Sequence, residues 1–240
     1  MQTEQLQLAL RPRPAMEALD LGLRLTQQHM RLLLRLYAPI AAVVGGLCLL
    51  GLLVSPWLPG LLLVLLQPWL DRVLLQVFSR AVFGLPSRLA DVLNGPLLFR
   101  PSLLPGLLVA AFSPWRAFTQ PVAQLEGLKG DAARQRRKRL LNGQHGRAIT
   151  AQLSWGVLTY WLLLGLLWLL FSLNPFSGSD NPMLRMGRDS AEPVIAVLQV
   201  LVSLLLEAPF VAGGFMMYLN RRVELESWDV EQELRHAFAH

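Results

Sequence analysis

The stretch Leu153–Leu173, LSWGVLTYWLLLGLLWLLFSL, decides the class of this protein, because it holds no charged residue over the length of a membrane crossing. About 20 apolar residues in a helix cover ~30 Å, the thickness of a bilayer's hydrocarbon core. A helix also satisfies its own backbone hydrogen bonds where water is absent. Trp155, Tyr160, Trp161 and Trp168 are spread along this stretch, and Asn174-Pro175 ends it.

Upstream, Leu36 to Val54 is likewise uncharged, with Pro39 in its first turn and Ser55-Pro56-Trp57-Leu58-Pro59-Gly60 as a tight turn after it. The next apolar run, Leu58 to Leu70, is too short to cross alone. Its pattern predicts one helix continuing through Asp71 and Arg72 to Phe83, with Arg72, Gln76, Ser79 and Arg80 as a polar stripe. Downstream, a stretch from about Val194 to Leu219 carries Glu207 and Pro209 and stops at Asn220-Arg221-Arg222. The expected fold is therefore all-α, a polytopic membrane helix bundle. Four spanning helices are predicted at about 36–54, 58–83, 153–173 and 194–219, with interfacial and cytoplasmic helices beside them. The expected organisation is an N-terminal segment (1–35), a helical hairpin (36–83), a basic region rich in proline (84–152), a second hairpin (153–219) and a charged tail (220–240). Pro101 to Phe112 is apolar but short and contains Pro105 and Gly106, so it is expected at the interface or against the bundle.

Composition agrees. With 53% hydrophobic and 16% charged residues the chain is too apolar for an ordinary soluble domain. The net charge of +6 comes from basic residues that flank apolar stretches without a nucleic-acid motif, which points to anionic lipid rather than nucleic acid. The polar start, with Glu4, Glu17 and Asp20, does not match a cleavable signal peptide. Lys and Arg alternate by loop: Arg11, Arg13, Arg24, Arg31 and Arg35 precede the first span, the first turn has none, and the 84–152 region is strongly basic. Retention of positive loops then places both termini and Arg134 in the cytoplasm of a bacterial inner membrane, with Ser55 and Ser179 on the opposite side.

No catalytic motif is legible. His29, His145, His236 and His240 are scattered, and no H-E-x-x-H, G-x-S-x-G, P-loop or dinucleotide fingerprint occurs. Cys48 is the only cysteine, so no metal or cofactor is expected from thiols. The run Arg134, Arg136, Arg137, Lys138 and Arg139 forms a candidate anionic-lipid contact, or simply a topology signal. Ala41 with Gly45, Ala42 with Gly46, and Ala208 with Ala212, followed by Gly213 and Gly214, mark close helix contacts. A carboxylate in mid-span is costly unless neutral, paired or wet, so Glu207 is either structural or a proton or ion site. Equal depth from the outer ends of the second and fourth spans predicts a polar cluster of Glu207, Arg72, Asp71 and Gln67, with Arg72 as the cation bound to Glu207 and Asp71 competing for it.

Three segments carry a resemblance: LRPRPAMEALDLGLRL before the first span, QPVAQLEGLKG in the basic region, and EAPFVAGGFMMYLNRRVELESWDVEQELR at the end. Together they resemble a family of proteobacterial inner-membrane proteins without assigned function. Its members are similar to components encoded near MoxR-type ATPases and transglutaminase-like membrane proteins, which implies an assembly role. The first and last segments resemble more loosely the membrane domain of glycerophosphodiester phosphodiesterases, through Arg11, Pro12, Glu17 and Asp20 and through Tyr218, Arg221, Arg222, Glu224, Glu226, Trp228 and Asp229. The likeness covers less than half the chain and leaves no place for that family's catalytic barrel, so the hydrolase activity does not carry over.

The expected function is thus a non-enzymatic membrane scaffold or assembly component that binds partner membrane proteins. The alternative is a small transporter or proton-coupled protein built on Glu207, and a lipid-processing enzyme stands third.

Overall fold

The computed structural model describes residues 14–85, 88–93, 113, 115–128, 130–173 and 188–226. Among them every regular element is a helix. The helices are α1 (Ala15–Gln28), α2 (Met30–Leu36), α3 (Ala38–Leu50), α4 (Leu58–Val82), α5 (Leu89–Leu93), α6 (Arg116–Leu125), α7 (Gly130–Leu141), α8 (His145–Ser172) and α9 (Arg188–Glu226). Three of them, α4, α8 and α9, are long and apolar enough to cross a membrane, making this a multi-pass helical membrane protein. A fourth crossing is available if α2 and the stretch Ala38–Leu53 count as one span bent by 51°. The bend falls at Tyr37, where Pro39 lacks the amide that would continue the ladder.

Helix α9 is the axis of the fold. Every residue from Val211 to Leu219 is buried, and Phe215 and Tyr218 are fully so. Such all-round burial requires neighbours on every side, and α1, α4 and α6 provide them. Helix α1 turns Ala18, Gly22, Leu25 and Thr26 inward at helical spacing while Asp20 and Arg24 stay exposed. Its Gly22 and the Gly213 of α9 let two backbones touch. Gly214 meets the backbone of Ala117 in α6. The Ala117 carbonyl has no helical donor four residues on, because that position is Pro121.

In α3, Ile40, Ala41, Val44, Gly45 and Cys48 are buried, and Gly45 admits Leu204 of α9. Ala42 is exposed, and open space surrounds Gly46 on the other side of that helix. The small-residue pairs therefore divide: Ala41 with Gly45 makes an internal contact, and Ala42 with Gly46 does not.

Helix α4 is continuous, as its pattern predicts, and α6 is fastened along it. Gln120 donates to the Pro68 carbonyl at 2.6 Å and Gln124 to the Arg72 carbonyl at 2.7 Å, a matched four-residue spacing on both helices. Farther along, Gln76 and Arg80 of the expected polar stripe reach Asp91 of α5.

Helix α8 is different. It touches the body mainly through α9, and Leu153, Val157, Trp161, Leu166, Trp168 and Leu170 are exposed. Pro101 to Phe112, Ser179, Arg11, Trp228 and Asp229 lie outside the described residues. Helix α9 does continue past Asn220, as far as Glu226.

Candidate functional site: a buried ionic cluster beneath an intramembrane cleft

Near the middle of α4 and α9, two carboxylates converge on one guanidinium. Arg116 at the start of α6 places Nε 2.7 Å from Asp71 Oδ2 and Nη2 3.1 Å from Glu207 Oε1. Its Nη1 donates to Gln67 Oε1 at 3.4 Å, and Gln67 Nε2 donates to Glu207 Oε2 at 3.1 Å. The guanidinium also lies 5.4 Å from the ring centre of Phe210, a cation–π contact. Asp71, Arg116 and Glu207 are 1%, 6% and 4% exposed, so this is an ion network removed from bulk water. The Nε–Asp71 approach is too bent for a hydrogen bond; Arg116 Nε and both Asp71 oxygens are without a hydrogen-bond partner. Charge attraction, not a linear bond, holds that side.

Asp71, Gln67 and Glu207 do meet, as their depths predict, but the expected cation does not join them. Arg72 is not the partner of Glu207; Arg116 is. Successive residues of a helix point about 100° apart, so when Asp71 turns inward Arg72 must turn aside. Arg72 instead accepts from Gln124 through its backbone carbonyl, and its buried Nη1 has no hydrogen-bond partner among the described residues. In the sequence Arg116 is one of many cations in the basic 84–152 region. One signal pointed elsewhere: two acids in mid-span against a single nearby cation leave a charge unanswered.

Above the cluster lies a cleft of about 280 Å³ between α8 and α9, floored by Gln67 and Arg116. Its walls are Gln152, Trp155, Thr159 and Tyr160 on α8 and Gln199, Ser203, Glu207 and Phe210 on α9. In the α9 wall Pro209 deprives the Leu205 carbonyl of its helical donor, and side chains bond the carbonyls on either side. Tyr37 Oη donates to Leu204 O at 3.1 Å and Trp155 Nε1 to Leu206 O at 3.1 Å.

A second polar centre forms where α6 ends. Arg136 of α7 donates from Nε to both Glu126 oxygens, at 3.1 and 2.8 Å, and from Nη2 to Oε1 at 3.1 Å. Tyr218 Oη donates to Glu126 Oε1 at 2.7 Å, and Arg222 Nε is 3.8 Å away from the same oxygen. Arg221 donates to the Asn142 carbonyl at 2.9 Å and pairs with Glu224 at 2.7 Å. Of the basic run, Arg134, Arg137, Lys138 and Arg139 are exposed, while Arg136 is committed to Glu126. The three segments that carry the resemblance thus gather on α9: Gly22 of the first against Gly213, Glu126 of the second against Tyr218. Glu17 is half-buried and Asp20 exposed on α1.

The chain matches no family model, and no curated protein or solved structure matches it.

Proposed function

We propose that this protein is a non-enzymatic scaffold or assembly subunit of a bacterial inner membrane, taking a helix of a partner membrane protein against α8 and its cleft. The observation that carries this reading is the cleft's lining: Gln152, Gln199 and Ser203 face an opening between two helices long and apolar enough to cross a membrane. Lipid tails offer such groups no hydrogen bonds, whereas a partner helix bearing polar side chains does. The thinly attached α8, exposed over most of its surface, extends the same face. In this reading the termini and the basic region lie in the cytoplasm by their Lys and Arg content, and the exposed cations of α7 rest on anionic lipid.

A photo-crosslinking side chain placed at Tyr160 in the cleft tests the proposal, with the exposed Val43 of α3, outside the cleft, as control. The scaffold reading expects one partner membrane protein captured at 160 and not at 43, co-purifying stoichiometrically after mild solubilisation. A self-contained protein whose position 160 crosslinks only lipid would overturn it in favour of the transporter alternative.

A further inference from the structure

We propose that Glu207 is a proton-binding site, holding one proton against Asp71 under the Arg116 guanidinium and presenting it to the cleft between α8 and α9. The geometry comes from the shape of arginine. Its Nε and one Nη hydrogen point in parallel, an edge that ordinarily grips both oxygens of one carboxylate. Here Nη2 donates to Glu207, while the Asp71 carboxylate lies 2.7 Å from Nε, off the line of its N–H. Two buried carboxyl groups are thereby held against one guanidinium. Carboxyl groups so held, shielded from water, do not both ionise; a pair of this kind shares one proton.

Charge balance agrees. One guanidinium answers one carboxylate, so the buried triad is neutral only when the second acid is protonated. Both Asp71 oxygens are buried and without a hydrogen-bond partner, so this carboxyl group has acceptors left open for that proton. The two acids differ in position. Asp71 is the closer to the guanidinium, at 2.7 Å, and does not line the cleft. Glu207 lines the cleft and receives a hydrogen bond from Gln67 on its other oxygen. From the elements packed around it, the charged and titratable groups are Asp71 and Arg72 of α4, Arg116 of α6, Tyr37 between α2 and α3, and Tyr160 of α8. A hydronium ion entering the cleft gives its proton to Glu207 and leaves as water, taking the triad from a net charge of −1 to zero.

Infrared spectroscopy of the full chain in lipid nanodiscs at neutral pH tests this directly through the carbonyl stretch of a protonated carboxylic acid. The expected spectrum has one such band, which moves in heavy water because the cleft admits exchange. Labelling glutamate with carbon-13 at the side-chain carboxyl should shift it to lower frequency, and labelling aspartate should not. Glu207→Gln should abolish it, and so should Asp71→Asn, since Glu207 then ionises against Arg116. Absence of the band in the wild-type protein, a band that follows the aspartate label, or a band that survives Glu207→Gln would each overturn the assignment. The wild-type spectrum and its labels decide the matter even where a variant fails to fold.

Discussion

Gly22 of α1 and Gly213 of α9 approach so closely that a β-carbon on Gly22 would sit 2.5 Å from the Gly213 Cα. No neighbouring side chain can yield there, because the obstacle is backbone. Gly22→Ala should therefore destabilise the protein by about 1–3 kcal/mol, the range for overpacking a tight contact. Gly46→Ala, which meets nothing within 4 Å, should change stability by less than ~0.5 kcal/mol. Thermal unfolding in detergent checks the contrast, and equal melting temperatures for the two variants would contradict the close approach.

Arg116 and Arg72 should behave as different kinds of residue. Replacing Arg116 with Gln strips the buried acids of their cation and should cost about 3–5 kcal/mol, the range for breaking one side of a buried pair. Arg72→Gln keeps the backbone carbonyl that Gln124 uses, so its effect should stay within about 1 kcal/mol. Denaturant titration of the two variants separates them; a larger loss at Arg72 would restore it as the cation of the cluster.

Glu126 ties α6, α7 and α9 together through Arg136, Tyr218 and Arg222. Tyr218→Phe removes one hydrogen bond to a charged acceptor and should cost about 1.5–3 kcal/mol. Arg136→Ala should release α7 and speed trypsin cleavage at Arg134 and Lys138, whereas Arg139→Ala should not. Cleavage rates that respond equally to both changes would show that the Glu126 centre does not hold α7.

The exposed cations of α7 are expected to act on lipid rather than on stability. Near an anionic surface each contributes about 1 kcal/mol. Replacing Arg134, Arg137, Lys138 and Arg139 together with Gln should abolish the thermal stabilisation gained when phosphatidylglycerol is added to nanodiscs of neutral lipid. Retention of that gain would remove α7 as a lipid contact.

How much of this was written in the sequence follows from which forces act locally. Apolar length marks α8 and α9 as crossings, since any helix of that composition must find hydrocarbon, whereas α4 reaches that length only when its helix is carried past Leu70. The continuity of α4 beyond Leu70 was legible because its polar residues recur at helical spacing. Depth was legible too, so Asp71, Gln67 and Glu207 could be brought to one level before any packing was known. Rotation about the helix axis was not. Whether Asp71 or Arg72 faces α9 depends on which ridge of α4 settles into its neighbours, and that is a property of the assembled bundle.

The entry of Arg116 into the cluster is also tertiary. Its surroundings in sequence, a basic and proline-rich region, belong to a membrane surface, and only Gln120 and Gln124 on the backbone of α4 and Gly214 against Ala117 set α6 where its first residue reaches both acids. The sequence by itself determined the solvent, the long apolar helices α4, α8 and α9 and the depth of the buried acids, because hydrophobic length and helical rise are local quantities. The tertiary structure alone decided which cation answers those acids, which glycines touch backbone, and that a polar cleft opens beside Glu207, because each depends on contacts between residues far apart in the chain.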